Sequence, residues 1–179
     1  MSYKYSTGSV RRGDIYYEDD REGQPTYIDF GTDTITLRPS GSAILHLEDD
    51  AVGVNTTDPR STLSIAGSVA ANITQINKDN NNSSTYTVQD TDFAIFVNTR
   101  PTAQNGIHSS LSITLPLAAE YPGRILIVKD AGGYSATNVI TIQRTGGDVI
   151  DGTQASINLA SNNGDKKLMS NGGTMWFTI

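Results

Sequence analysis

The chain has 179 residues, of which 36 % are hydrophobic and 18 % charged, and a formal net charge of −6. That length suits one domain, or a small domain with an extended arm, and is too short for a multidomain enzyme. The acidic balance argues against nucleic acid and anionic membranes as partners, and the absence of cysteine excludes disulfides, thiol nucleophiles and Cys-ligated metals.

Much of the remainder is Thr, Ser, Asn and Gly, residues of turns and polar sheet faces, so the composition points to an all-β fold. So few apolar side chains make a thin core for a single copy, and an oligomer is expected. The N-terminus, Met1 to Gly8, has no apolar stretch of secretory type, and no segment approaches the roughly 18 apolar residues of a membrane span. Synthesis in a cytoplasm is expected, with release by a route such as lysis if the product ends outside a cell. The basic doublets Arg11-Arg12 and Lys166-Lys167 read as solvated surface.

From the N-terminus, short β pieces are expected at Asp14 to Tyr17, Thr26 to Phe30, Thr34 to Leu37 and Ala43 to Leu47, separated by Gly- and Pro-bearing turns. Such a ribbon cannot form a buried core alone and should pack against copies of itself or a host structure. Between Val69 and Ser84 the apolar residues Val69, Ile73 and Ile76 fall at i, i+4 and i+7, the spacing of a short helical stripe. Two turns of helix are marginal in water, so this reading requires partners on a symmetry axis. The run Asn80 to Ser84 reads as a linker.

From Thr85 onward stronger strands are expected at Thr85 to Gln89, Phe93 to Asn98, Leu111 to Pro116, Arg124 to Lys129, Val139 to Gln143, Ser156 to Leu159 and Thr174 to Ile179. Their spacing suits a β-sandwich or barrel. Arg124 to Lys129 should be a central strand and Leu111 to Leu115 half buried. The glycine pairs Gly132-Gly133, Gly146-Gly147 and Gly172-Gly173, with Asp151-Gly152, suit hairpin turns, and Trp176 should plug a core or interface. The expected organisation is therefore an arm at 1–67, a short stalk and linker at 68–84, and a head at 85–179.

Two patterns carry a resemblance. Ala51-Val52-Gly53-Val54-Asn55-Thr56-Thr57-Asp58-Pro59, followed by Leu63-Ser64-Ile65-Ala66-Gly67, resembles the Val-Gly-Ile-Gly-Thr-x-x-Pro … Leu-x-Val-x-Gly element of bacteriophage tail fibres and related trimeric adhesins. Asn55 stands where that family has its second glycine, and Asn is the residue after glycine that best tolerates left-handed dihedrals. Upstream, Gly13 to Tyr17, Tyr27 to Phe30 and Ile35 to Leu37 look like segments that precede this element in virion fibres. A second pattern, Thr114-Leu115-Pro116, Gly123-Arg124-Ile125, Lys129 to Gly133, Ile140-Thr141-Ile142, Gly146 to Gly152 and Gly173 to Trp176, resembles a phage-fibre domain. The resemblance implies a virion structural protein, a homotrimeric tail fibre or spike on the particle exterior. Its N-terminal arm would dock to other virion proteins and its head would attach to the host. A capsid head-fibre or decoration subunit is the alternative, and a polysaccharide depolymerase a second one.

No enzyme chemistry stands out. His46 and His108 lack chelating spacing, and no Gly-x-Ser-x-Gly elbow exists. Glu18-Asp19-Asp20, Glu48-Asp49-Asp50, Asp148 and Asp151 could in principle supply a glycosidase pair, but all lie in expected turns. Asp79, Asn81, Ser83 and Asp90 fit positions 1, 3, 5 and 12 of a calcium loop, yet Ser84 replaces its glycine and Asp90 its glutamate. No cofactor or metal is expected. The Asn-x-Ser/Thr sequences at Asn55, Asn72 and Asn82 need a secretory route to matter. Tyr121 and Tyr134, in expected loops of the head, could stack on sugar rings of a host glycan, or serve as ordinary loop or interface tyrosines.

Overall fold

A computed structural model describes residues 26–39, 42–78, 84–101 and 109–179, with the backbone of Ile15 and Tyr16. Nearly all regular structure is β, and the chain divides into two compact units at residues 70 and 71.

In the first unit, strands β1 (Ile15–Tyr16), β2 (Tyr27–Phe30), β3 (Thr34–Arg38), β4 (Leu45–Glu48), β5 (Ala51–Val54) and β6 (Leu63–Ile65) form one sheet in chain order. Neighbours are antiparallel, except that β5 and β6 run parallel. The turns between strands place Asp33 and Asp49 at positive φ (59° and 48°), which Asp tolerates because its short carboxylate bonds locally. All four β pieces expected before residue 48 are present. Strands β5 and β6 coincide with the segment that resembles the fibre element.

In the second unit the chain alternates between two sheets. One holds β7 (Ile73–Asn77), β9 (Ala94–Asn98), β11 (Ile125–Asp130), β13 (Val149–Ile150), β15 (Asp165–Ser170) and β16 (Met175–Thr178), in the order β13-β16-β15-β11-β9-β7. The other holds β8 (Thr85–Thr87), β10 (Leu111–Thr114), β12 (Ile140–Gln143) and β14 (Ser156–Leu159), in the order β14-β12-β10-β8. Strands β7, β9 and β11 are mutually parallel in the first sheet, as are β8, β10 and β12 in the second. As far as β12 the chain thus coils from sheet to sheet, adding each strand beside the one two places earlier. Only β14, β15 and β16 bring in antiparallel pairs.

The two sheets enclose one core. Ile95 and Val97 from β9, Leu126 and Val128 from β11, Leu168 and Trp176 face Ile113, Ile140 and Ile142 from the opposite sheet. The alternate burial along β10 and β11 follows from the period of two along a strand. Trp176 is fully buried, and its indole N–H donates to the Pro116 carbonyl at 3.1 Å, which satisfies the one polar atom it brings inside. Among the described residues both sheets end in edge strands, β7 and β13 in one and β8 and β14 in the other, as in an open sandwich.

Three expectations are corrected. The short helical stalk is absent, because Ile73 to Asn77 is strand β7, laddered residue for residue against β9. Two of its five residues are isoleucine and one is threonine, β-branched side chains that suit a pleated surface, and a ready neighbouring strand outweighs a lone two-turn helix. Secondly, the linker of 68–84 is not a separate segment: the described residues 71–78 and 84 belong to the second unit, and 79–83 lie outside the described residues. Thirdly, of the four glycine turns, Asn171 to Gly173 joins sheet neighbours as a hairpin, β15 to β16. Asp151-Gly152 also closes a tight hairpin turn, with Ile150 and Gln154 exchanging both backbone hydrogen bonds in an antiparallel bridge, whereas the turns at Gly132-Gly133 and Gly146-Gly147 carry the chain between sheets.

Candidate contact surfaces

The first unit presents an unusual face. Because side chains alternate along each strand, Phe30, Ile35, Leu47, Val52 and Leu63 form one cross-strand row, each opposite the next. Ile28, Leu37, Leu45, Val54 and Ile65 form the next row on the same side. None of these ten residues is buried, and Ile35, Leu47, Leu63 and Ile65 are 40 %, 37 %, 58 % and 39 % exposed. The opposite side is polar yet better covered. There Thr36, His46 and Gly53 are buried, with the Thr36 hydroxyl 2.7 Å from His46 Nδ1 and Glu48 3.5 Å from Nε2. Arg38 lies 3.6 Å from Asp29 and above the Tyr27 ring.

The turn after β5 accounts for two residues of the fibre-like element. A side chain at Gly53 would fall on the backbone carbonyl of Thr56, so only glycine fits. Asn55 adopts φ 57°, the left-handed region. Ser64 then gathers the returning chain, accepting from the backbone N–H of Arg60 at 2.8 Å and of Ser61 at 3.2 Å.

On the second unit, Tyr121 follows a single 3-10 turn, Ala118–Glu120. Its hydroxyl donates to Asp90, and this bond to a carboxylate is the main reason its pKa lies above the ordinary tyrosine value. Arg124 stacks over the ring at 4.6 Å, while its Nη2 donates to the carbonyls of Gln89, Asp90 and Asp92. Tyr134 is stacked by Arg100 at 5.7 Å. Each tyrosine named as a sugar platform therefore already carries a guanidinium on one face. The outward side of the larger sheet also carries Ile125, Met169 and Phe177 directly opposite one another, at 38 %, 38 % and 43 % exposure.

Val69, Ile73 and Ile76 do not form one stripe. Val69 precedes β7 and is 72 % exposed; Ile73 and Ile76, three apart on a strand, point to opposite sides, Ile76 against the core and Ile73 outward.

Of the carboxylates expected in turns, Asp148 and Asp151 serve as acceptors for the backbone, while Glu48 lies in strand β4. Asp148 accepts from Ala118 N–H at 2.7 Å, and Asp151 from the Thr178 N–H and hydroxyl at 2.8 and 2.7 Å. Asp130, fully buried, accepts from the N–H groups of Gly132, Gly133, Ser135 and Asn163 at 2.9 to 3.1 Å. Burial alone would raise its pKa, but the hydrogen bonds from Ser135, Asn163 and Gly133 outweigh it and hold the value below the ordinary one. Asp92 accepts from Thr74, from the Tyr86 hydroxyl at 2.7 Å and from Gln89 N–H at 2.8 Å. Burial first, and then Asp92, push Tyr86 up to about 12. The sequence shows Asp130 beside a glycine pair, which hints at an Asp-closed turn; the Arg124 and Asp92 clusters join residues far apart in the chain and leave no local signature.

Among the described residues no group of three or more His, Asp or Glu side chains is placed to hold a metal ion. His108, Glu18 to Asp20, and positions 79, 81 and 83 of the calcium-loop pattern lie outside the described residues. No protein-family model matches this chain, and no curated protein sequence matches it.

Proposed function

We propose that this chain is a non-enzymatic structural subunit of a bacterial virus, a short homotrimeric tail fibre or spike that attaches the particle to a host surface. The observation that carries the reading is the turn from Val52 to Pro59. Its glycine is sterically required and its asparagine sits at positive φ where the fibre element has a second glycine, so the resembling residues are those the local backbone demands. The segment is a folded β-turn-β unit, ending in the parallel β5–β6 pair, which supports the reading.

In this reading the sheet of residues 27–65 belongs to the virion-proximal arm and docks to other virion proteins, and the sandwich is the head. Three heads on one appendage, and several appendages on one particle, convert weak contacts into firm adhesion by raising effective concentration. Tyr121 and Tyr134, each with its stacked arginine, are the residues assigned to a host glycan.

Labelling the protein on intact particles of the virus that encodes it, with adsorption measured in parallel, tests the reading. Label on the tail, and adsorption lost with Tyr121→Ala and Tyr134→Ala combined, is the expected result. Label confined to the capsid, with adsorption unchanged in particles lacking the protein, overturns it in favour of a decoration subunit.

A further inference from the structure

Among the described residues sixteen hydrophobic ones are buried, and all of them lie in the second unit. The first unit buries only Thr36, His46 and Gly53 among its described residues, although one side of its sheet is apolar at every position from β2 to β6. A single amphipathic sheet is stable only when a second layer covers its apolar side.

We infer that this face is buried against the same face of two further copies of the chain, around a three-fold axis. The inference rests on the trimeric reading above and names the contact that makes the trimer. Neither cross-strand row contains a charged or hydrogen-bonding side chain to anchor a partner of different chemistry, whereas a flat apolar face is complementary to itself. The chain itself has little to offer as a cover outside the described residues of this unit. Residues 1–14 and 17–25 bring Met1, Tyr3, Tyr5, Val10 and Tyr17 among many charges.

The dimensions fit three copies. Five strands at about 4.8 Å spacing make a face about 19 Å wide, and three such sheets around an axis each stand about 5–6 Å from it. Packed sheets lie about 10 Å apart, so half that distance is what apolar side chains fill. With the exposures above, each face offers on the order of 500 Å², so that three copies bury on the order of 1,500 Å² in all, about 500 Å² at each of the three pairwise contacts, a small contact by the standard of protein interfaces.

The absence of cysteine allows a direct test with single cysteines at neighbouring positions on opposite sides of β4, Leu47→Cys and Glu48→Cys. In the full chain, mild oxidation is expected to link Leu47→Cys between copies and to leave Glu48→Cys unlinked. A second variant, Ile35→Arg with Leu47→Arg, is expected to lower the mass in light scattering threefold. Trp176, the only tryptophan and deep in the other unit, should keep its emission and so report that the sandwich remains folded. A wild-type chain that runs as a single copy overturns the trimeric reading itself. A trimer in which Leu47→Cys does not link, or which survives the double arginine variant, overturns this contact alone and leaves the trimer to another surface. A two-copy species overturns the three-fold arrangement.

Discussion

The two units are built from strands of the same kind and meet opposite fates. In β10, as in β3 and β4, apolar residues alternate with polar ones, yet Leu111 and Ile113 are buried while Ile35 and Leu47 stand 40 % and 37 % exposed. Local pattern is not what separates them. The second unit passes its chain between two sheets, so each new strand finds an opposing layer within the same copy. The first unit runs a meander in one plane, and every strand it adds extends the uncovered face. Amphipathicity decides which side of a strand is apolar; connectivity decides whether that side is covered within one chain.

The largest effect that could break this contrast is removal of one apolar side chain from each unit. Trp176→Ala should cost about 3–5 kcal/mol, from lost burial and the cavity left in the core of the sandwich, measured by urea unfolding followed by circular dichroism. Leu47→Ala, measured at a dilution where the chain is a single copy, should cost under about 1 kcal/mol, because little of that side chain is removed from water there. Equal costs would mean that the sheet is covered within one copy, and the contrast would fall.

The next effect sharpens what holds the sandwich together beyond apolar area. Asp130→Asn replaces an acceptor of four backbone N–H groups by an amide that turns a donor towards some of them, at a cost of about 2–4 kcal/mol. The folded carboxyl titrates below its ordinary value, so its contribution is fully present above about pH 4, the unfolded value, and is lost as pH falls through the depressed one. Unfolding curves of wild type and variant should therefore converge in acid. A gap that stays constant down to pH 2 would show that Asp130 acts by shape and not by charge.

These residues also mark how far the sequence was legible. Alternating runs and short continuous apolar runs revealed all seven strands expected after residue 84, because both patterns are local properties. Strand β15 escaped because Asp165, Lys166 and Lys167 open it with charge, and β7 because an isoleucine spacing of three fits a helix as well as a strand. The parallel coiling was not legible, since it depends on which strand two places back is paired. For the candidate surfaces, the turn at Gly53 and Asn55 could be read because its constraints are local. The stacking of Arg124 on Tyr121, with Arg124 bonded to carbonyls 32 to 35 residues away, could not.

A smaller effect belongs to the first unit. Gly53→Ala forces a methyl group onto the Thr56 carbonyl, which the turn can relieve only by moving backbone, at about 1–3 kcal/mol. Because β5 carries both Val52 and Val54 of the apolar rows, this substitution should also weaken association between copies, read as a higher concentration for half-assembly in light scattering. Loss of thermal stability with association unchanged would separate the turn from the face.

The smallest effect is the most specific to the turn. Asn55 sits at φ 57°, a conformation that costs an ordinary side chain roughly 1 kcal/mol and a β-branched one more. Asn55→Gly restores the residue that the fibre element carries; it removes that strain but adds freedom to the unfolded chain, so the two nearly cancel and stability should change by less than about 0.5 kcal/mol. Asn55→Val has no such compensation and should cost about 1–2 kcal/mol. Thermal melts of the pair decide the point, since a turn that did not need the left-handed conformation would treat Gly and Val alike. In that case the asparagine would carry no conformational meaning, and the likeness to the fibre element would rest on its glycines, Pro59 and apolar residues.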